Sequence, residues 1–205
     1  MPPETLSARM TPSVFPKQRT GTVEMSKVNK AGSSTVATRL VVQALASLIS
    51  TYKSLQLWDG ALQNAREYVQ KFPNADDVVD QKITIGIALN RLNRFSEAVD
   101  YLKDLKFSVN SDQEPEIQFY IGEAYFNGGQ YEQAINEFVK IPLLSQKTKL
   151  QWEASALYFA GQSYEKLGRT NEAVRMYQEI IDRPGIQLEL KRQARKLIDN
   201  IKSVN

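Results

Sequence analysis

The 205-residue chain contains neither cysteine nor histidine. Without cysteine there is no disulfide framework, no thiolate nucleophile, no iron–sulfur site and no cysteine-ligated zinc. Without histidine the commonest general base and metal ligand are missing, and with them the usual catalytic triads and the metalloprotease helix motif. Glycine-rich phosphate loops of the GxGxxG or GxxxxGK kind are absent too, so nucleotide binding has no support and no cofactor or metal is expected. No run reaches the ~18 apolar residues needed to cross a bilayer. The longest candidate, Leu40 to Ile49, is broken by Gln43 and Ser47. Met1 to Thr20 carries prolines and charges where a secretion signal would hold an apolar stretch. The default location is therefore cytoplasmic, with the periplasm or envelope as the alternative if the true N-terminus lies upstream.

What is present is an uneven charge. The net +3 divides into +4 over residues 1–40 (six basic, two acidic), −4 over 41–185 (fifteen, nineteen) and +3 over 186–205 (five, two). A phosphate-tracking surface gathers its lysines and arginines on the folded body, and here the body is acidic, so no nucleic-acid partner is expected. The basic ends leave docking to an anionic membrane or RNA as an alternative role.

Residues 1–36 hold Pro2, Pro3, Pro12 and Pro16 among serines and threonines without helical or strand periodicity, and are expected to be a disordered basic segment. A flexible tail, a targeting peptide and a misassigned start all fit that composition. From about Thr38 the apolar residues recur at helical spacing, and paired helices follow: about 38–52 with 59–71, 78–92 with 95–105, 114–127 with 131–141, and 151–167 with 171–182. Pro73 ends the second helix, Gly128-Gly129 and Gly168 supply left-handed turns, and Ser96 is a candidate N-cap. A last amphipathic helix, about Leu188 to Ser203, places Leu190, Ala194, Leu197 and Ile201 on one stripe and reads as a cap. The domain reading is thus 1–36 disordered, 37–184 four helical hairpins, and 185–205 a capping helix.

Within the hairpins one spacing recurs. Ile49 and Ala61, Gly86 and Ala98, Gly122 and Ala134, and Gly161 and Ala173 are each twelve apart, and the units begin 37, 36 and 39 residues apart (49 to 86, 86 to 122, 122 to 161). That period belongs to helical-hairpin repeats. Gly122, Tyr125, Gly129, Tyr131, Ala134 and Phe138, then Gly161, Tyr164, Gly168, Ala173 and Tyr177, resemble the tetratricopeptide-repeat family. The first two units depart from it at Ile49, Leu89 and Asn93. The long repeats and the Lys-Phe-Pro-Asn stretch at 71–74 are similar to bacterial envelope-associated relatives.

The resemblance implies an all-α, right-handed superhelical solenoid of antiparallel hairpins that binds a protein or peptide partner on the concave face formed by the first helices. By helical spacing that face holds Asp80, Ile83, Ile87 and Asn90, then Glu116, Phe119, Glu123 and Phe126, then Ser155, Tyr158, Gln162 and Glu165. Aromatic and aliphatic anchors among carboxylates suit an extended or helical peptide with apolar side chains. Packing against neighbouring helices is the other reading of Phe119 and Tyr158. Glu116, Glu123 and Glu165 are the nearest approach to a catalytic acid–base group, but no enzyme is expected, because helical carboxylates are usually solvated. The chain also reads as the C-terminal piece of a larger repeat protein serving as structural spacing. The spacing does not define an oligomeric state.

Overall fold

The computed structural model describes residues 21–110, 112–144 and 150–204, with side chains from Val36 onward except at 150, 151 and 204. Ten helices account for the described elements: α1 (Gly21–Ser54), α2 (Trp58–Lys71), α3 (Val78–Arg91), α4 (Phe95–Lys106), α5 (Glu114–Asn127), α6 (Tyr131–Phe138), α7 (Ile141–Leu144), α8 (Leu150–Lys166), α9 (Thr170–Asp182) and α10 (Leu188–Val204). Among the described residues there is no strand.

The chain divides into two units, Met1–Val41 and Val42–Asn205. In the first, the expectation of disorder over 1–36 is corrected from Gly21 onward, where the backbone is helical. No proline follows Pro16 in this stretch, and the serines, threonines and Gly32 each cost a helix only about 0.5–1 kcal/mol relative to alanine. Nothing in the segment removes an intrahelical donor. Residues 1–20, the rest of that expectation, lie outside the described residues.

The second unit is a stack of antiparallel hairpins. Each turn is closed by one residue in the left-handed conformation: Gln56 (φ 57°), Asn93 (φ 60°), Gly129 (φ 74°) and Gly168 (φ 70°). The next amide in each case, on Leu57, Arg94, Gln130 and Arg169, donates 2.9 Å to the carbonyl of Tyr52, Leu89, Tyr125 and Tyr164. This is the Schellman closure, in which backbone groups alone satisfy the orphan carbonyls of the helix end. Gly128, at φ −78°, takes no left-handed role. The same amide donor is already the N-cap of the next helix, so α4 begins at Phe95 with Arg94 as cap, and Ser96 falls two residues too late to serve. Arg94 instead clasps Glu97 through two hydrogen bonds of 2.7 and 2.5 Å, and Arg169 bonds Glu172 at 3.0 Å from the equivalent place.

Pairs of residues sixteen apart set how closely the helices of a hairpin approach. A Cβ built on Gly86, Gly122 or Gly161 would lie 2.3 Å from Leu102, 2.7 Å from Phe138 and 2.4 Å from Tyr177 respectively. Each glycine therefore vacates the volume that a large, buried side chain of the second helix occupies. In the first hairpin the two sizes are exchanged: Ile49 is the large residue, and the position sixteen later is Ala65, both fully buried. The departure at Ile49 is thus compensated within its own hairpin.

Successive hairpins stack through α2 on α3, α4 on α5 and α6 on α8, and through direct contact of α3 with α5 and α5 with α8. One core joins the first two hairpins to α5, a second gathers α5, α6 and α8 around Phe119, Phe138 and Ala160, and a third joins α8, α9 and α10 around Tyr177. After α6 the chain forms the short α7, whose Ile141 is buried in the second core. On α10 it is Ala194 and Ile198 that bury, while Leu190 stays partly exposed.

Candidate partner-binding face

The first helices α3, α5 and α8 lie side by side, and that adjacency decides the fate of the residues assigned to the open face. Ile83, Ile87 and Asn90 on α3, and Phe119 and Glu123 on α5, are buried. Spacing measured along one helix cannot tell an open surface from the seam with the next hairpin. These five residues lie in the seam and present little or no surface to a partner. Glu116 and Phe126 are half-buried, as are Ser155, Tyr158 and Gln162, while Asp80 and Glu165 are exposed.

Each seam has its own chemistry. Between α5 and α8, Phe119 meets Trp152, Phe159 and Phe138 at ring-centroid distances of 5.3, 5.5 and 5.6 Å, and Phe126 stands edge-on to Phe159 at 5.4 Å. Such tilted and T-shaped pairs each contribute about 0.5–1.5 kcal/mol beyond the area they bury. Between α3 and α5 the seam is polar. The Glu123 carboxylate accepts from Asn90 at 3.1 Å and from Arg91 at 3.0 Å, and Asn127 donates to Asn90 at 3.1 Å. Satisfying a buried carboxylate in this way fixes the register of one helix on the next, because any slip would leave it unpaired.

The three candidate carboxylates are not brought together. Glu123 is committed to Arg91 and Asn90, and Glu165, a hairpin away, accepts the Tyr177 hydroxyl. Burial, with that hydrogen bond added, pushes the Tyr177 phenol well above its ordinary pKa. Burial also raises Tyr120, to about 12. Among the described residues no group of three or more acidic side chains gathers as a metal site would need, and no helix is long and apolar enough to cross a membrane.

The open part of the face is on α8. Ser155, Tyr158, Gln162 and Glu165 follow one another at helical spacing, none is buried, and Gln162 donates 3.0 Å to the Tyr158 hydroxyl. Beside them a cavity of about 280 Å³ opens between α8, α9 and α10. Ala154, Phe159, Ile180 and Leu190 give it an apolar lining, Tyr158 contributes a ring, and Ser155 and Gln193 contribute polar groups. Of these, only Ser155 and Tyr158 are among the residues assigned by spacing; Ala154 and Phe159 on α8 are not, nor are Ile180, Leu190 and Gln193, because by sequence α9 reads as a packing partner and α10 as a cap. Gln193 stands next to Ala194 and three residues after Leu190 at the edge of the apolar stripe of α10, which was the one signal for it.

The third and fourth hairpins, residues 116–141 and 155–184, match the tetratricopeptide repeat. The first and second, where Ile49, Leu89 and Asn93 break the pattern, lie outside the matched residues. Solved structures share the architecture. A tetratricopeptide repeat protein from Parabacteroides merdae superposes with a TM-score of 0.58 at 15% identity over 80% of this chain. A Podosopora anserina protein with nearly identical TPR-like repeats gives 0.60 at 12% identity over 80% of this chain and 94% of that one. MamA gives 0.53 at 20% identity over 76% and 93%. The chain spans 60% of the Parabacteroides protein's length. Likeness at these identities establishes the fold: an all-α stack of antiparallel hairpins of the tetratricopeptide-repeat type. No curated protein matches the sequence.

Proposed function

We propose that this chain is a protein-interaction module which receives a segment of a partner protein along the open face of α8, anchored in the cavity between α8, α9 and α10. Tetratricopeptide repeats generally serve protein–protein interaction and scaffolding. The observation that carries the reading is the cavity itself, an apolar hollow with polar groups at hand beside a stripe of partly exposed side chains. Interfaces draw most of their energy from a few such anchors, and burying one large apolar side chain contributes about 1.5–3 kcal/mol. The reading is of a binder rather than an enzyme, because Glu123 and Glu165 are already committed to Arg91 and Tyr177.

A photo-crosslinking phenylalanine analogue at Gln162, irradiated in the native host, is expected to trap a discrete partner, and Tyr158→Ala is expected to abolish the adduct while helicity is retained. Adducts from exposed Glu132 on α6 with none from position 162 would refute the assignment of this face. A second reading, that the chain is part of a larger helical stack, is favoured by the first hairpin, where Leu48, Leu55 and Leu57 are 41%, 63% and 52% exposed. Under that reading a further hairpin covers these leucines, and Leu55→Glu with Leu57→Glu should lower the urea midpoint of the longer protein while leaving that of the present chain nearly unchanged.

A further inference from the structure

We infer that the cavity between α8, α9 and α10 is a receptor for one aromatic side chain of the partner, a tyrosine in preference to a phenylalanine. This rests on the reading of the α8 face as partner-binding and adds the chemistry of the anchor.

The chain's own preceding seam supplies the precedent. The residue three before the repeat glycine is Phe119 in the third hairpin (122 − 3) and Tyr158 in the fourth (161 − 3). Phe119 is closed over by two rings of the next first helix, Trp152 and Phe159, and ends 6% exposed. At Tyr158 the next helix is α10, which has no aromatic residue and brings Leu190 and Gln193 to the same place. The seam that rings fill between α5 and α8 is therefore left as a hollow of about 280 Å³ beside Tyr158. For scale, an engineered apolar cavity of about 150 Å³ takes up benzene.

Two features of the lining select the occupant. Tyr158 and Phe159 stand at 82° to each other with centroids 5.7 Å apart. A third ring packed into the corner they form can therefore set its edge against one and its face against the other, the arrangements aromatic pairs prefer. Two polar groups at the cavity are also poorly engaged. Ser155 has no hydrogen bond among the described residues, and Gln193 reaches Glu189 only at a long 3.5 Å. A phenolic hydroxyl can bond either of them, which a purely apolar ring cannot do.

The probes are p-cresol, toluene and cyclohexanol, titrated into the isotope-labelled full chain and followed by amide NMR shifts. Saturable shifts on α8 and α10 are expected with p-cresol, roughly two- to ten-fold tighter than with cyclohexanol, the gain expected of an aromatic pair. Toluene should bind more weakly than p-cresol. Gln193→Phe supplies the missing ring from α10 and should abolish p-cresol binding; Tyr158→Ala, which removes one wall ring, should abolish it by the opposite change. Absence of saturable p-cresol shifts in the unsubstituted chain, or equal affinity for cyclohexanol, overturns the inference. Partner adducts from position 162 that persist undiminished in Gln193→Phe overturn it too, while leaving the interaction reading intact. Failure of the interaction reading would show separately, as p-cresol binding without any adduct from position 162.

Discussion

Gly122→Ala tests the packing logic of the whole stack, because two known effects of opposite sign meet at that residue. In an exposed helix the change stabilises by about 0.8–1 kcal/mol, through helix propensity and a less flexible unfolded chain. Here the new Cβ would stand 2.7, 2.8 and 3.0 Å from three atoms of the Phe138 ring. Ordinary carbon contacts are about 3.5–4.0 Å, so the ring or the helix must retreat by roughly 0.8 Å. Phe138 is fully buried, with Phe119 and Phe159 each at 5.6 Å, and cannot swing away. Overpacking of this kind costs about 1–3 kcal/mol, so the expected net is a loss of roughly 1 kcal/mol. For a domain of this size that lowers the melting temperature by about 2–4 °C. Urea unfolding followed by far-ultraviolet circular dichroism reads the difference. The cycle Gly122→Ile with Phe138→Ala goes further, since the pair would then repeat the exchanged sizes of Ile49 and Ala65. Phe138→Ala alone should cost about 3–5 kcal/mol, and the double variant should be more stable than the sum of the singles by more than about 1 kcal/mol. A stabilised Gly122→Ala, or a cycle with no coupling, would refute the size-exchange account.

The turns give the complementary experiment. Gly129→Ala and Gly168→Ala add a Cβ that meets nothing within 4 Å, so their expected cost of about 1–2 kcal/mol is left-handed backbone strain alone. By the same physics Gln56→Gly should raise the urea midpoint, by an amount equivalent to about 0.5–1 kcal/mol. In the polar seam, Glu123→Ala strands the buried Asn90 amide and the Arg91 guanidinium and should cost about 1.5–3 kcal/mol. Glu123→Gln, which can still accept from Asn90, should cost less; equal losses would argue against the register role of the carboxylate. The tyrosines set an alkaline limit. Tyr68, Tyr120 and Tyr177 hold their protons above the ordinary value, Tyr120 to about 12, chiefly through burial. An unfolded phenol ionises near ~10, so their contribution is fully present below pH ~10 and is lost as pH rises towards 12. Urea midpoints that fall over that interval, together with phenolate absorbance that lags behind a denatured control, would bear this out; a flat profile would contradict it.

The helical hairpins and the turn glycines were legible in the sequence because each rests on local geometry, whereas the small–large pairs sixteen apart were not, since the recurrence followed there is the twelve-residue one. A left-handed turn wants glycine or asparagine: Gly129 and Gly168 announce it, Asn93 reads as a departure from the repeat although it takes the same conformation, and the turn at Gln56 is recognisable only by its place seven residues after Ile49. Size exchange at Ile49 and Ala65 looked like degeneration while positions were read singly, and becomes regular when read as a pair. The binding face was less legible for a physical reason. Helical phase states which residues share a side, but whether that side meets water or a neighbour depends on how closely α3, α5 and α8 approach. Ile83, Ile87 and Phe119 therefore went to the seam, and the cavity, lined from α8, α9 and α10 together, had no signature in any one of them. The long α1 was obscured in another way, since serines and threonines lower helix propensity without forbidding a helix.

The placing of Leu190 and Gln193 on the last helix has a thermodynamic consequence. α10 is held to the stack chiefly through α9, and a single element can open with less free energy than global unfolding, so the hollow exists only while α10 is docked. An occupant that needs both sides of the hollow must then act as a clasp on α10. Amide exchange should slow along α10 in proportion to occupancy, and removing residues 188–205 should abolish capture while sparing most of the stack. Undocking of α10 and affinity at the cavity would then be two readings of a single equilibrium.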